Sequence, residues 1–394
     1  MRQTPPAYPA AAPVKYLTEA NPKGLYLHIP FCAKKCAYCD FYSACVSDGM
    51  LDSYTESLIR EIKNWGGVLR RPVFDTVYFG GGTPSLLGER LAAVTDAVYS
   101  AFEITYGAEI TLELNPTGDR SKTYGFMKTA RKSGINRLSV GAQSGSDREL
   151  KLLGRTHTAA DTLAAVNAAR EAGFDNISLD LMLGLPGSDT GTLSESIDFI
   201  LSAKPEHISA YILKIEENTY FYKTRESLSL PDDDSAADQY LYMCERLKKS
   251  GYTHYEISNF CLPEKESQHN LKYWRCGEYL GIGPSAHSFI NGKRFYYPRD
   301  VKAFIKGTKP VYDGNGGDAE EYIMLRLRLA EGLDLRELEN RFRINTDRIK
   351  KAVMPIEKMG LLITSGENIR LTDKGMTVSN SIITEILENC DENT

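Results

Sequence analysis

GLYLHIPFCAKKCAYCDF, residues 24–41, is the stretch from which the rest of the chain can be read. Its opening run, Gly24 to Ile29, is apolar and strand-like, and directly behind it Cys32, Cys36 and Cys39 stand at x3 and x2 spacing. The chain has 8 cysteines in 394 residues, and that frequency would produce such a triple by chance on the order of 0.003 times. Thiolates are soft ligands, and an all-sulfur set selects zinc or an iron-sulfur cluster. A structural zinc needs a fourth ligand, for which Cys45 and His28 are the candidates. Three cysteines alone leave one iron of a [4Fe-4S] cube open to an outside ligand, which implies chemistry as well as scaffolding.

Outward from this loop the same alternation of strand and helix repeats. Leu51, Tyr54, Leu58, Ile59, Ile62 and Trp65 recur at helical spacing and mark one buried face. The β-branched and aromatic run Phe74 to Phe79 then ends in Gly80, Gly81 and Gly82. Further strand-like runs follow at Glu109 to Asn115, Asn136 to Gln143, Asn176 to Met182 and His207 to Leu213, preceded by helical patterns such as Ala159 to Ala172. Six near-continuous apolar strands alternating with helices imply an α/β fold with a parallel sheet covered on its faces. The spacing suits a partial (β/α)6 TIM-like barrel, with a doubly wound open sheet as the alternative.

Past about Glu216 the rhythm breaks. An acidic loop, Pro231 to Asp234, leads into a helix from Ala236 to Lys249 and then into irregular, aromatic-rich sequence up to about Pro310. The last stretch reads as three helices, a strand pair (GLLIT, then NIRLT) and an apolar helix from Met376 to Leu387, the order of a winged-helix-like module. The expected organisation is a mobile arm at 1–23, the barrel at 24–215, an added α+β region at 216–310 and the C-terminal module at 311–394.

Composition narrows the function. Lys plus Arg is 47 against 52 for Asp plus Glu, a net charge of −5, which gives no electrostatic case for nucleic-acid binding. No run reaches the roughly 20 apolar residues of a membrane span, and clustered, unevenly distributed cysteines suit a reducing cytoplasm better than a disulfide framework.

In a parallel βα barrel the active site gathers side chains from the C-terminal ends of several strands. The glycine run at 80–82, followed by Thr83 and Pro84, lets backbone approach a ligand closely, although a tight turn alone would also explain it. Glu113 and Asn115 in the third strand, Gln143 at the end of the fourth and Asp180 in the fifth are polar groups at the same edge, where carboxylates suit hydrogen-donating ribose hydroxyls.

The triad spacing and the aromatic Tyr38 in CAYC resemble the signature of the radical S-adenosylmethionine (radical SAM) superfamily. That resemblance implies that Cys32, Cys36 and Cys39, but not Cys45, hold a [4Fe-4S] cluster whose open iron chelates SAM, and that electron transfer cleaves SAM to a 5′-deoxyadenosyl radical. It further implies that Tyr26, Tyr38, Gly81, Gly82, Thr83, Glu113, Gln143, Arg155 and Asp180 surround the cofactor, with Arg155 facing its carboxylate.

More motifs, among them SVGAQS, LKLLGRTH, NISLDLMLGLPG, HYEISNF, SQHNLKYW and GIGPSAHSF, resemble the oxygen-independent coproporphyrinogen III oxidase-like group. Its decarboxylating oxidases carry a fourth cysteine where this chain has Phe41, which points away from oxidase activity and toward the heme-chaperone branch. Membership there implies heme as cargo, with His269 of the HNLKYW segment as the iron ligand, a heme-accepting protein as partner, and a reductant such as flavodoxin or ferredoxin. The two alternatives are a porphyrinogen-modifying radical SAM enzyme and a zinc-stabilised interaction protein. Three positions depart from the group's pattern: Gly145 where Phe is common, Ser188 and Asp189 where Gln-Thr is common, and Gln268 where Arg is frequent.

His28, His207, His254 and His287 read as structural histidines, and Tyr211 and His287 are candidates for lining the cavity. Cys244, Cys261, Cys276 and Cys390 receive no role.

Overall fold

A computed structural model describes residues 22–45 and 47–390, so residues 1–21 of the expected arm lie outside the described residues. The six expected strands are β1 (Lys23–Ile29), β2 (Val73–Gly81), β3 (Glu103–Leu114), β4 (Arg137–Gln143), β5 (Ile177–Leu183) and β6 (His207–Ile212), all parallel and adjacent in chain order. A doubly wound sheet would reverse its strand order at a switch point. Here every step goes to the same side, and right-handed crossovers then place the intervening helices on one face.

Those helices are α1 (Asp48–Val68), α2 (Arg90–Ala101), α3 (Arg120–Lys132), α4 (Asp147–Leu152), α5 (Ala159–Glu171) and α6 (Thr190–Ser202), and α1 packs on α2, α2 on α3 and α3 on α5. The apolar stripe of α1 is buried as its periodicity requires, with Leu51, Tyr54, Leu58, Ile62 and Trp65 in the core and Ile59 half-buried. The core face of the sheet is equally closed: all seven residues of β4 are buried. Side chains from all six strands line one cavity, and strands spaced about 4.8 Å apart converge in that way only if the sheet curls. The result is the partial barrel.

The sequence from 216 to 315 does not stand apart from this sheet but extends it. On the β6 side, Asn259–Cys261 and Thr253–Glu256 add antiparallel. On the β1 side, Tyr279–Ile282 adds parallel, followed by the antiparallel strands His287–Ile290, Lys293–Tyr296 and Val311–Asn315. β3 begins six residues earlier than the apolar pattern implied, at Glu103. Its start pairs with Val73 and Phe74 before a register break that passes through Gly107 at φ +77°, leaving Tyr106 in solvent.

The C-terminal module has the expected order: helices Ala319–Arg326, Leu335–Phe342 and Asp347–Lys358, then the hairpin Leu362–Ser365 with Asn368–Leu371, joined by Leu333–Asp334. The closing helix is two pieces, Asp373–Thr377 and Ser379–Glu388, broken at Val378, whose backbone leaves the helical region. The Thr377-Val378 pair is β-branched, which lowers helix propensity at that point.

Asp373 ties this module to the barrel, accepting from Lys248 and from His254 Nδ1 at 3.1 Å. The His254 bond and the Lys248 ammonium hold its carboxyl at about 2, below its ordinary 3.8. The folded state therefore binds fewer protons than the unfolded chain between those values. The contribution of Asp373 is complete above pH 3.8 and fades as the pH falls toward 2. Asp373→Asn should cost about 1–2 kcal/mol at neutral pH and almost nothing near the acid limit, as read by denaturant unfolding. A cost independent of pH would contradict the assignment.

Candidate functional site

The six strand ends and the Cys-rich loop enclose a cavity of about 820 Å³. Cys32, Cys36 and Cys39 line it as free, half-buried thiols. Backbone bonds hold their loop from both sides: Ala37 N donates to Leu153 O at 3.0 Å, and Phe221 N donates to Ala37 O at 2.9 Å. Phe31–Cys32 also pairs with Ala44–Cys45.

The glycine run forms the wall under that loop. Gly82 N donates to Ile29 O and Thr83 N to Phe31 O, at 2.9 and 2.7 Å, and a Cβ on Gly82 would lie 2.5 Å from the Phe31 carbonyl oxygen. Gly81 sits at φ +117°, with its missing Cβ 2.7 Å from the His28 ring. Both residues line the cavity, but their amides are committed within the protein, that of Gly81 to Glu113 Oε2 at 3.1 Å. The run is at once a tight backbone contact and a cavity wall.

A relay of polar side chains joins two of the thiols. Arg155 Nη1 approaches Cys36 Sγ at 3.5 Å, and Arg155 Nη2 donates to Gly141 O at 2.7 Å and to Asn115 Oδ1. Asn115 Nδ2 donates to Thr83 Oγ1 at 2.9 Å, and that hydroxyl donates to Cys32 Sγ at 3.6 Å. Asn115, expected only as a polar group at the strand edge, joins two residues far apart in the chain, a link that no sequence pattern displays.

Acids form the floor. Glu113 accepts from Tyr78 Oη at 2.9 Å and is pushed up to about 7 by burial, while Asp180, accepting from Ser139 Oγ at 3.2 Å, is pushed up to about 6 by the same cause. Gln143 reaches the cavity through a β-bulge at φ +68°, a conformation that re-aims its side chain, and it accepts from Tyr211 Oη at 3.3 Å. Tyr26 donates to His28 Nδ1 at 3.0 Å, and Tyr38 packs beside Leu153 and Met182.

His269 is not part of the cavity lining. It is 1% exposed, with Nδ1 bonded to Thr76 Oγ1 at 2.9 Å and Nε2 to Tyr273 Oη at 2.7 Å, and its ring lies 5.1 Å from that of Tyr78. Burial lowers its pKa to about 3, so the imidazole is neutral, the form that binds metals. Nε2 is open to any ligand only once Tyr273 has moved.

Neither candidate fourth ligand for a zinc ion stands ready at the thiols. The His28 nitrogens are engaged by Tyr26 and by the Tyr42 carbonyl, and Cys45 is exposed outside the cavity. Three thiols with no free histidine or further cysteine in the cavity lining fit a polynuclear cluster better than a single zinc ion.

The departures also find their place. Phe199 of α6 has its Cβ 2.6 Å from where a Gly145 Cβ would stand, so its ring occupies the space that a Phe at 145 would take. Asp189 caps α6 by accepting from Thr192 N. Gln268 is exposed and donates to Glu266 O, clear of the cavity. Among the other histidines, His207 is buried between Ser178 and Tyr255, while His287 is exposed and stacks on Tyr296. Tyr211 lines the cavity; so do Asn259, Asn270 and Ser285, which lie within the quoted motifs but received no role there, and Arg299, which no motif contains.

Comparison with known proteins agrees with this geometry. Residues 26–200 match the profile of the Radical SAM superfamily, and residues 318–378 match the HemN C-terminal domain. The chain is 34% identical to heme chaperone HemW of Lactococcus lactis over 93% of its own length and 98% of the relative's. The same-named protein of Mycobacterium tuberculosis is 36% identical over 98% of this chain and 99% of the relative. Coproporphyrinogen III oxidase (HemN) from Escherichia coli, a radical SAM enzyme, superposes with a TM-score of 0.80 at 22% identity over 94% of this chain and 91% of that one, which establishes the fold.

The acid floor has a pH signature. Because the Glu113 pKa rises from 4.5 to about 7, the native state holds an extra proton between those values and loses stability as the pH climbs through them. Glu113→Gln removes the ionisable group and keeps one acceptor oxygen, for Tyr78 or for Gly81. It should raise the melting temperature of the ligand-free protein at about pH 8 and leave it nearly unchanged at about pH 4.5. Equal shifts at both would contradict the assignment.

Proposed function

This chain belongs to the radical SAM superfamily, within its HemN-like heme-chaperone group, and on that premise we propose that it holds a [4Fe-4S] cluster and SAM in the cavity and carries heme to an acceptor protein. The observation that supports the cofactor pair most strongly is the site itself: three free thiols line one cavity, and Arg155, Asn115 and Thr83 link two of them, Cys36 and Cys32. Cys32, Cys36 and Cys39 would hold the cluster, whose chemistry when bound is to deliver the electron that cleaves the SAM sulfonium.

The chain's own groups divide the remaining work. Arg155 places a delocalised cation beside Cys36, where it can offer its fork to a carboxylate. Glu113 and Asp180 present acceptors to hydroxyl groups from a buried floor, and Tyr78 and Ser139 keep them aimed. Tyr38 and Met182 give the cavity apolar wall, which excludes water from that side.

The heme reading is supported by similarity that runs nearly end to end and includes the C-terminal module. Phe41, where decarboxylating relatives carry a further cysteine, favours carriage over oxidation of a porphyrinogen. His269 is the proposed iron ligand, and Tyr273 guards it. A flavodoxin or ferredoxin would supply electrons, and the proposed place of work is the cytoplasm. No described helix is long and apolar enough to cross a membrane.

Two experiments test this reading. Cys36→Ala should abolish the visible absorption and iron content of the anaerobically reconstituted protein, because two thiolates do not retain the cube; a full complement of iron in the variant would refute the ligand set. Anaerobic heme titration should show saturable binding that His269→Ala removes and that Tyr273→Phe, by freeing Nε2, tightens. Wild-type affinity in His269→Ala would refute ligation by that residue.

A further inference from the structure

The cavity is acidic at its floor and cationic at its mouth. Lys34, Lys35 and Arg299 line it together with Phe41, against one nearby acid, Asp40, and the Lys214–Glu216 pair, while the buried carboxyls Glu113 and Asp180 lie within. Phe41 leaves 71% of its surface in solvent at the rim of this cavity. Arg299 has no hydrogen-bond or ion-pair partner among the described residues, and its neighbour Asp300 is already engaged in accepting from Ala303 N at 2.9 Å.

The segments that carry these two side chains are joined by hydrogen bonds. Val301 N donates to Tyr42 Oη at 2.9 Å, and the Tyr42 carbonyl accepts from His28 Nε2 at 3.2 Å. The segment that carries Phe41 and the one that carries Arg299 are therefore pinned to each other and to β1. Close by in the lining, Ser285 is held at φ +70°, and neither its hydroxyl nor the Asn270 amide has a partner among the described residues. An exposed aromatic, a guanidinium without a counter-ion, two ammonium groups and two free polar side chains make a mouth suited to a flat apolar ligand that carries carboxylates.

We propose that Phe41 and Arg299 form an outer binding site for a planar dicarboxylate of the heme class, in which the ring system lies against Phe41 and a carboxylate pairs with the Arg299 fork. The proposal rests on the heme-carrier reading and adds to it a cargo position at the cavity mouth, apart from the buried His269. Aromatic contact supplies affinity without regard to the metal. The planar guanidinium supplies the selection for carboxylate that a lysine gives less well. A ligand so held stays accessible to a partner protein, as a handed-over cargo must.

The test compares hemin with hemin dimethyl ester, which keeps the ring and iron but loses both charges, in anaerobic titrations of the full-length, cluster-reconstituted protein. Arg299→Ala should weaken hemin by roughly three- to thirty-fold and leave the ester unchanged, with Arg299→Lys between. Phe41→Ala should weaken both ligands. Unchanged hemin affinity in Arg299→Ala, or equal losses for hemin and ester, would overturn the proposal. His269→Ala, titrated alongside, separates the two ideas. If that variant loses affinity and Arg299→Ala does not, ligation by His269 stands and the mouth site falls. If Arg299→Ala weakens hemin but not the ester while His269→Ala binds normally, the mouth site stands alone.

Discussion

A backbone contact at the exit of the first two strands governs the site. Thr83 N donates to the Phe31 carbonyl, and any side chain at Gly82 would come within 2.5 Å of that same oxygen. Only glycine lets the end of β2 lie flat under the start of the cysteine loop, and only that contact puts Thr83 within reach of Cys32. The relay through Asn115 and Arg155 to Cys36 then crosses from β2 to β3 and on to the segment after α4. Geometry set by backbone at one edge is thus carried by side chains around the cavity.

The barrel was largely legible in sequence because its determinants are local. Six apolar runs of strand length, helical stripes such as that of α1, and a cysteine triple too improbable for chance each sit within a short window. What stayed hidden depends on contacts across the fold. The early start of β3 follows from pairing with Val73 and Phe74, and the strands of 253–315 gain their identity from the open edges of β6 and β1. Phe199 fills the space at Gly145 from 54 positions away, a compensation that no motif displays. The relay residue Asn115 and the mouth residue Arg299 likewise acquire meaning from neighbours remote in sequence. The resemblance assigned His269 a ligand role, but only the fold reveals the bonds to Thr76 and Tyr273 that hold it closed.

Electrostatics divides the cavity between two kinds of ligand. Burial raises Glu113 and Asp180 and lowers His28 and His269, so the interior favours neutral forms of acids and bases alike. Such a floor accepts hydroxyl donors without a large uncompensated charge. The solvated mouth keeps its lysines and Arg299, where an anionic group can be met at little desolvation cost. The proposed cofactor and the proposed cargo can therefore share one opening without competing for the same groups.

The central claim is that the three thiols and the polar ring around them form one site for cluster and SAM. Electron paramagnetic resonance of the reduced, reconstituted protein, recorded with and without SAM, tests it most directly. The account predicts a cluster signal whose g values change when SAM is added, because the ligand binds at the iron that no protein group occupies. A cluster signal that SAM leaves unaltered at saturating concentration would contradict it.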